Sequence, residues 1–371
     1  MKEIRKEYQG NIVAVVGGQY GDEAKGAVSS HLARLHNAPL VVKAGVGPNA
    51  EHGIFVQVEG KEHYLRVNQL PLGWILSPNA QIRVGRNVAV DPDKLLHEIG
   101  KYRLKDRVKI DSMCPIVSLE HVAAENTSKR FVEGIGSTLS GSGFARSAHI
   151  LRTATLARDL DILHPFLTNV ADEINRTAPT DTVIIEDSQG WGLNLSSIDY
   201  PNCTSKDVTS AGALADVGAN PFYLKDVVLC VKTMPSREGQ GSMGSSVEIT
   251  TEQIKNRGLE EISSIKGKLR RKAESIDFEM LANACMENGA TQIALTFCEH
   301  YDPKIDGVKN IDGVTKKIRK LIDQVEEKTN VPVTILNTGK PFDNFVYLPD
   351  KSVNLSSAGE EINFTSSYFN L

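Results

Sequence analysis

Short apolar runs alternate with segments of helical spacing along most of the chain. Each run is long enough for a β-strand, and the runs lie at Ile12–Val16, Leu40–Val42, Ile82–Val84, Val183–Ile185, Val227–Val231, Ile293–Thr296 and Val331–Leu336. Because this alternation is typical of α/β proteins, we predict an α/β fold with a mainly parallel central β-sheet flanked by helices. Functional residues should then gather in the loops beyond the carboxyl ends of the strands.

Two segments interrupt the alternation. Residues 93–180 carry mostly helical spacing, so we interpret them as a mainly helical excursion from the sheet within a single domain, residues 1–371. Ser236–Ser246 is rich in glycine and serine, and this composition predicts a mobile loop.

Composition fits a soluble protein. Of the 371 residues, 40% are hydrophobic and 24% charged, and the net charge of −4 argues against direct nucleic-acid binding. The five cysteines are widely spaced, so neither a zinc site nor a disulfide framework is indicated. The amino-terminal residues lack an apolar targeting segment, and no apolar run reaches membrane-spanning length. We therefore expect a cytoplasmic protein without membrane contact, in the host cytoplasm if it is viral.

A glycine-rich segment, Gly17–Gly26, lies between the first predicted strand and an amphipathic run that begins at Val28. A glycine-rich loop that leads from a strand into a helix binds phosphate, because backbone N–H groups and the positive end of the helix dipole face the loop. Gly21 and Gly26 let the main chain come close to a ligand, and Lys25 adds a positive charge. The segment therefore predicts a nucleotide phosphate site.

The same loop departs from a Walker A motif. Ala24 precedes the lysine, and Gly26 and Ala27 stand where a hydroxyl would hold Mg²⁺. The acid pair Asp22-Glu23 would repel bare phosphate, so it indicates a metal ion or a proton transfer. The alternative to a phosphate site is that the loop is only a tight structural turn, in which Asp22 is a helix cap or an Asx-turn residue.

Several motifs together resemble the adenylosuccinate synthetase family. Gly21-Asp-Glu-Ala-Lys-Gly26 resembles the Gly-Asp-Glu-Gly-Lys-Gly loop of these enzymes. Further motifs follow in the family's order at Val41–His52, Leu70–Leu76, Arg86–Pro92, Ile135–Thr138, Glu186–Gly190 and Tyr200–Ser205. The resemblance runs from about Asn11 to Leu348 and implies the P-loop-NTPase-related fold of that family.

The resemblance also implies a reaction. In this family a nucleoside triphosphate phosphorylates the 6-oxo group of a purine monophosphate, and the amine of L-aspartate then displaces the phosphate. Asp22 would be the general base at purine N1, His52 would donate a hydrogen bond to the 6-oxygen, and Gln189 and Asn49 would hold the 6-oxo edge. Mg²⁺ would bind to Asp22 and Glu51. From the residues alone, His52 could equally be an ordinary loop histidine, and Gln189 could cap a turn.

Other family residues map onto the remaining substrates. The triphosphate would contact Gly21, Glu23, Lys25, Gly26, Gly53, Phe297, Glu299, Asn337, Thr338 and Gly339. The 5′-phosphate of the purine nucleotide would contact Ser137, Thr138, Thr204 and, across a homodimer interface, Arg152 of the second chain. Arg152 could also be a solvated helix arginine. The aspartate would contact Ser263, Ser264, Lys268, Arg270 and Arg271, among which the register of the cations is open.

The chain departs from the family where guanine of GTP is read. Family members use Lys-x-Asp after the strand Leu-Thr, but here Leu295-Thr296 continues as Phe297-Cys-Glu299. This profile resembles the viral branch, which condenses L-aspartate with dGMP, driven by ATP or dATP, to give N6-succino-2-amino-2′-deoxyadenylate for 2-aminoadenine DNA. In that branch we expect the aspartate of the glycine-rich loop to be absent, so the presence of Asp22 is a departure from it. The alternatives are adenylosuccinate synthesis from IMP with GTP or ATP, and a nucleotide-binding regulator without catalysis.

Overall fold

A computed structural model gives the fold and describes residues 10–263 and 267–348. Its strands are β1 Ile12–Gly17, β2 Leu40–Lys43, β3 His52–Val58, β4 Lys61–Val67, β5 Gln81–Val84, β6 Val108–Asp111, β7 Leu167–Thr168, β8 Val183–Glu186, β9 Leu224–Lys232, β10 Ser236–Arg237, β11 Glu248–Ile249, β12 Arg271–Ala273, β13 Gln292–Thr296, β14 Val333–Asn337 and β15 Phe345–Tyr347.

The α-helices surround this set of strands. They are α1 Lys25–Leu35, α2 Pro92–Lys101, α3 Leu119–Thr127, α4 Ser142–Leu151, α5 Val170–Thr177, α6 Ser210–Val217, α7 Thr251–Asn256, α8 Phe278–Asn288, α9 Cys298–Tyr301 and α10 Lys316–Thr329. A π-helical turn, Arg130–Ile135, lies between α3 and α4.

Ten of the strands in the described residues form one sheet, in the order β15-β14-β13-β9-β1-β8-β2-β5-β6-β7. All neighbouring pairs are parallel except β14 and β15, which are antiparallel. The predicted α/β fold with a mainly parallel central sheet is confirmed. The central strands are continuous apolar runs because helices cover both faces of the sheet.

Side chains of β1 show how both faces are used. Val13 and Val15 pack with α1 in one core, whereas Ile12 and Val16 belong to two other buried clusters. Successive side chains of a strand point to opposite faces, so one short strand connects several cores. The predicted amphipathic run after the glycine-rich loop is instead a helix buried on nearly every side, because it lies between the sheet and the β3–β4 hairpin.

Residues 93–180 differ in part from the sequence interpretation. Helices predominate there, but β6 pairs with β5 and β7 pairs with β6, so the segment returns to the sheet and forms its edge. These strands have only four and two residues, which is too short for their apolar pattern to stand out in the sequence. The interpretation as a single domain stays a prediction.

Ser236–Ser246 also differs from the prediction at its start. Ser236 and Arg237 form β10, which pairs with β12, and the Arg237 side chain is fully buried. It packs because Asp199 lies 2.6 Å from its guanidinium and the Asn202 carbonyl accepts a hydrogen bond of 2.6 Å. The prediction of an unpacked loop was therefore wrong for these two residues.

Membrane-spanning helices and the state of the cysteines can be assessed in the part of the chain that the structure describes. No helix there combines the length and apolar character that crossing a membrane requires. The cysteines Cys114, Cys203, Cys230, Cys285 and Cys298 are free thiols.

Candidate active site

A cavity of about 510 Å³ opens at the carboxyl edge of the central sheet. Loops that follow β1, β2, β8, β13 and β14 form much of its wall. This volume is within the range of small-molecule sites, roughly 300–1,000 Å³. Parallel strands end at the same edge, so segments that are far apart in the sequence meet there.

The glycine-rich loop occupies the centre of the cavity wall. Gly21 has a φ of 90°, and Asp22 and Ala24 have φ values of 61° and 55°. The Glu23 carboxylate accepts hydrogen bonds from the Gly21 amide at 2.8 Å and from Lys25 Nζ at 2.6 Å. Glu23 is fully buried, and these hydrogen bonds stabilise the conformation of the loop. A contact between Glu23 and the triphosphate stays a prediction.

Lys25 begins α1 at the point where the helix dipole is positive. Burial opposes the charge of its ammonium group, but the Glu23 carboxylate outweighs burial and raises the pKa of Lys25. The lysine therefore stays charged beside the loop. This arrangement can bind a phosphate group.

Asp22 lies on the cavity wall beside a guanidinium. Its carboxylate is 2.6 Å from Arg270 Nε, and Arg270 is also 3.3 Å from Glu238. The structure thus places Arg270 in the cavity beside the predicted base. A strand begins directly after this arginine, at Arg271.

Other predicted aspartate-binding residues lie outside the cavity wall formed by the described residues. Arg271 pairs with Glu248 at 2.5 Å and donates to the Gly241 carbonyl, because alternation along β12 turns it away from Arg270. Lys268 is exposed, and Ser263 donates to Glu238 at 2.8 Å. Ser264 lies outside the described residues.

His52 belongs to a buried cluster of charged groups. Its Nδ1 contacts the Glu186 carboxylate, and Lys43 Nζ lies 3.2 Å from the same ring nitrogen. Glu186 also accepts from Ser29 and from the Leu72 amide at 2.9 Å. Burial opposes its ionisation, but His52 and Lys43 lower the pKa of Glu186 to about 2.

The charge state of His52 bears on its predicted role. Burial and the neighbouring Lys43 lower the pKa of His52 to about 4, so the ring is neutral at pH 7 without ligands. A neutral ring that donates from Nδ1 to Glu186 has a bare Nε2 and cannot donate there. Donation to the 6-oxygen therefore requires the imidazolium, which an incoming phosphate would favour.

Two carboxamides face the predicted purine position. Asn49 and Gln189 line the cavity, and Gln189 has a φ of 61° after β8. Among the described residues, neither Asn49 Oδ1 nor Gln189 Oε1 has a hydrogen-bond partner, although both atoms are buried. Buried acceptors without partners are costly, roughly 1–3 kcal/mol each, so a ligand that donates to them is favoured.

Hydroxyl groups line the end of the cavity near α4. Ser137, Thr138 and Thr204 are there, as predicted for the 5′-phosphate site, and Ser140 and Ser142 join them. The Glu125 carboxylate fixes this loop by accepting from Ser137 and from the Gly141 amide at 2.5 Å.

Arg152 is exposed at the carboxyl end of α4 and lies outside the cavity wall of its own chain, as far as the described residues define it. The neighbouring side chains of Ile150 and Leu151 are 74% and 68% exposed. A contribution of Arg152 to this site would therefore have to come from a second chain.

Other predicted triphosphate residues lie at the ends of β13 and β14 and directly after them. Phe297, Glu299, Asn337 and Gly339 line the cavity. Asn337 accepts from the Phe297 amide at 3.3 Å and donates to the Gly339 carbonyl at 2.8 Å, so its side chain joins two loops. Thr338 is buried outside the wall, where it donates to the Val308 carbonyl at 2.6 Å.

Gly53 faces Tyr64 across the β3–β4 hairpin. A Cβ at residue 53 would be 2.1 Å from Tyr64 Oη, so glycine is required while the tyrosine keeps this position. Tyr64 also lines the cavity and lies 3.4 Å from Glu51. Burial together with the Glu51 and Asp22 carboxylates raises the pKa of Tyr64, which means that both carboxylates act on one region of the cavity.

Asp22 and Glu51 fit the predicted magnesium site by the chemistry of their donors. Hard carboxylate oxygens are the ligands of Mg²⁺, which usually binds through one or two of them together with substrate phosphates. No cluster of three or more histidine, cysteine, aspartate or glutamate ligands occurs in residues 10–263 and 267–348. Magnesium binding by Asp22 and Glu51 stays a prediction.

Sequence reasoning missed the supporting carboxylates and the lysine. Glu186 and Lys43 each end an apolar strand, and Glu125 lies in the last turn of a helix. A charged residue at the end of a buried strand was the available signal for Glu186 and Lys43. Glu125 carried no such signal.

Known proteins similar to this chain share one family. The adenylosuccinate synthetase family matches residues 14–171 and 155–303. The adenylosuccinate synthetase of Pyrococcus horikoshii is 36% identical over 339 residues, which cover 90% of this chain and 97% of the relative.

Two solved structures share the fold. The adenylosuccinate synthetase of Plasmodium falciparum gives a TM-score of 0.78 at 20% identity, covering 91% of this chain and 100% of that chain. The succinoaminodeoxyadenylate synthetase of cyanophage S-2L, bound to dGMP and to dATP as an energy donor, gives a TM-score of 0.74 at 26% identity, covering 93% and 97%. This chain therefore belongs to the adenylosuccinate synthetase family of C–N bond-forming ligases.

Proposed function

We propose that this ligase condenses L-aspartate with dGMP, driven by ATP or dATP, and releases N6-succino-2-amino-2′-deoxyadenylate. The observation that carries the choice of purine is the surplus of acceptors on the cavity wall where the hydrogen-bonding edge of the purine is expected. The Asp22 carboxylate and the free oxygens of Asn49 and Gln189 face this region. Guanine offers its N1–H and the two hydrogens of its 2-amino group, whereas hypoxanthine offers only N1–H.

The triphosphate end supports ATP or dATP. The Lys-x-Asp that reads guanine in the family is replaced by Phe297-Cys298-Glu299, and Phe297 and Glu299 line the cavity. An aromatic ring stacks on either purine, and no lysine remains at this position to favour guanine. Likeness to the cyanophage enzyme, with its bound dGMP and dATP, supports both the triphosphate and the 2′-deoxyribose.

The proposed reaction has two steps. Asp22 accepts the N1 proton, and the 6-oxygen attacks the γ-phosphorus, so a P–O bond forms while the bond between the γ-phosphorus and the β,γ-bridging oxygen breaks. Lys25 and the loop amides hold the transferred phosphate, and His52 donates to the 6-oxygen. The aspartate amine then attacks C6, the C6–O bond breaks, phosphate leaves, and the nitrogen loses a proton.

Mg²⁺ and a second chain complete the proposed site. Asp22 and Glu51 would hold Mg²⁺, which neutralises charge on the phosphates when it is bound. Arg152 of the second chain would join Ser137, Thr138 and Thr204 at the 5′-phosphate. The exposed apolar side chains beside Arg152 support a homodimer interface at this end of α4.

A second candidate is adenylosuccinate synthesis from IMP, with GTP or ATP. The archaeal relatives named adenylosuccinate synthetase favour it, because their identity to this chain is 36% against 26% for the cyanophage enzyme. A regulator without catalysis has no support, since Asp22 and His52 both line the cavity.

A substrate panel tests the proposal. IMP, GMP and dGMP are each combined with ATP, dATP and GTP in the presence of L-aspartate and Mg²⁺, and succinyl-purine formation is followed by chromatography and absorbance. We expect the highest kcat/KM for dGMP with ATP or dATP. A preference for IMP would replace the product by adenylosuccinate, and strict dependence on GTP would refute the triphosphate assignment.

A variant tests the acceptor argument directly. Asn49→Ala should lower kcat/KM for dGMP about tenfold more than for IMP, because the loss of a buried acceptor for the 2-amino group costs about 1.4 kcal/mol. Asn126→Ala, an exposed helix asparagine outside the cavity wall, is the matched control. Equal losses for dGMP and IMP would show that Asn49 does not read the 2-amino group.

A further inference from the structure

Glu299 lies in a turn that two hydrogen bonds at Phe297 hold in place. Phe297, just before it, has a φ of 54° and leads from β13 into the short helix that contains Glu299. The Phe297 amide donates to Asn337 at 3.3 Å, and its carbonyl accepts from Thr233 at 2.6 Å. These two contacts hold the backbone of Phe297 in place on the cavity wall, two residues before Glu299.

The carboxyl group of Glu299 lacks a hydrogen-bond partner on one oxygen. Its side chain is 14% exposed, and Oε2 is buried without a partner among the described residues. The other oxygen lies 3.9 Å from His300 Nε2, which is beyond hydrogen-bond distance. A buried oxygen without a partner on a cavity wall is satisfied when a ligand binds there.

The Phe297 ring beside Glu299 contacts two basic side chains. Lys232 Nζ lies 4.1 Å from the ring centroid, and the His300 ring lies at 5.0 Å in a tilted orientation. Phe297 is half-buried and lines the same cavity as Glu299. A purine that stacks on Phe297 would bring a hydrogen-bonding edge next to the carboxyl group.

Charged groups of both signs face this carboxyl group. Asp306, after a short 3₁₀ helix, and Glu261, before β12, oppose its ionisation, whereas Lys232 on β9 favours it. His300 lies on the same helix, and Lys340, which follows β14, lines the same cavity and acts on His300. Burial is the largest influence and raises the pKa of Glu299 to about 7.

We propose that Glu299 reads the purine of the triphosphate in both of its protonation states, as a carboxylic acid that pairs with adenine and as a carboxylate that pairs with guanine. The acid donates its O–H to adenine N1 and accepts from the 6-amino group through its carbonyl oxygen. The carboxylate accepts from guanine N1–H and from the 2-amino group. The inference rests on the proposed function, because it places the triphosphate base at Phe297.

The consequence is a nucleotide preference that depends on pH. Adenine binds only the protonated fraction of Glu299 and guanine only the ionised fraction. For strict pairing, the ratio of ADP to GDP affinity should fall by about 100-fold from about pH 6 to about pH 8, around the pKa of about 7. Ionisation of the phosphates is common to both ligands and cancels in this ratio.

Glu299→Gln separates protonation from shape. The amide donates to adenine N1 and accepts from the 6-amino group at every pH, but it cannot accept both donors of guanine. We expect this variant to keep ADP binding and to show a ratio that is constant from about pH 6 to about pH 8. Glu327→Gln, an exposed residue near the end of α10, is the matched control and should keep the wild-type pH dependence.

The test is titration of ADP and of GDP into the full-length protein by calorimetry, with Mg²⁺ present. A wild-type ratio that does not change with pH, or a Glu299→Gln variant that still follows the wild-type curve, would overturn the proposal. The outcome is independent of the purine monophosphate, because binding is measured without turnover. Failure of dGMP as a substrate in the panel above would therefore not affect this test. Failure of this test would likewise not affect the choice of dGMP as substrate.

Discussion

Glu186→Gln should show how much of the site depends on the carboxylate behind His52. Glutamine keeps the size of the side chain, but His52 and Lys43 both lose a buried negative charge. Removing one partner of a buried ion pair costs roughly 3–5 kcal/mol of unfolding free energy. Burial already lowers the pKa of Lys43 to about 8, so this lysine can lose its proton once Glu186 is gone. We therefore expect a loss near the lower limit, about 3 kcal/mol.

The catalytic effect has a separate origin. When its Nδ1 donates to Glu186, His52 can also donate to the 6-oxygen as an imidazolium, which Glu186 stabilises. A donor aimed at developing charge is worth roughly 3–4 kcal/mol, or about 10²–10³ in rate. We expect kcat to fall by that factor while KM for the nucleotides changes little, measured by succinyl-purine formation. Urea denaturation followed by circular dichroism gives the stability.

Asp216→Asn is the matched control for stability. Asp216 also forms a buried pair with a lysine, at 2.6 Å from Lys206, but it lies outside the cavity wall of the described residues. We expect a smaller stability loss, because Lys206 keeps Asp187 at 2.9 Å, and near-normal kcat for the folded fraction. If Glu186 acts through His52, adding Glu186→Gln to His52→Asn should cost little further activity. Additive losses, or kcat of Glu186→Gln within about threefold of the wild type, would refute the reasoning.

Three further outcomes concern the base, the dimer and acid stability. Asp22→Asn should lower kcat by roughly 10²–10⁴, because asparagine tolerates a φ of 61° but is not basic. Mixing the Asp22→Asn chain with the inactive Arg152→Ala chain should restore activity, because each heterodimer then has one intact site. No recovery after demonstrated subunit exchange would place Arg152 outside the partner's site. Burial lowers the pKa of His31 and His52 from 6.5 to about 4, so the unfolded chain binds more protons and stability present above pH 6.5 is lost towards pH 4. Each histidine should contribute at most about 1.4 kcal/mol per pH unit in urea denaturation, and an unchanged slope in His31→Asn would contradict this assignment.

The sequence predicted the sheet because its central strands are uninterrupted apolar runs. It predicted many residues of the cavity because parallel strands end at one edge, so loop residues after different strands meet there. It could not predict that Glu186 contacts His52, since the two residues are 134 positions apart and neither neighbourhood shows what the other contains. Such pairs depend on sheet order, which the local pattern does not encode.

The sequence also could not show which of two adjacent residues faces the cavity. Arg270 and Arg271 are equivalent in the sequence, but the strand begins at Arg271, and alternation sends neighbouring side chains to opposite sides. The cavity therefore receives Arg270, while Arg271 pairs with Glu248. Composition misled in the same way at Arg237, because a glycine-rich stretch gives no sign that Asp199 will supply a buried partner.

Four of the residues that line the cavity have a left-handed backbone although they are not glycine. Asp22, Ala24, Gln189 and Phe297 have φ values of 61°, 55°, 61° and 54°. Left-handed conformations of residues other than glycine cost of order 1–3 kcal/mol each and persist only where surrounding contacts enforce them.

Glu23 and Asn337 supply part of that enforcement through hydrogen bonds to the amides of Gly21 and Phe297. These contacts lie within the protein itself, and they fix the loops that carry the predicted base and the stacking ring. The cost of ordering them is met when the chain folds. Residues that only support the loops therefore determine the geometry of catalysis as much as those that face the cavity.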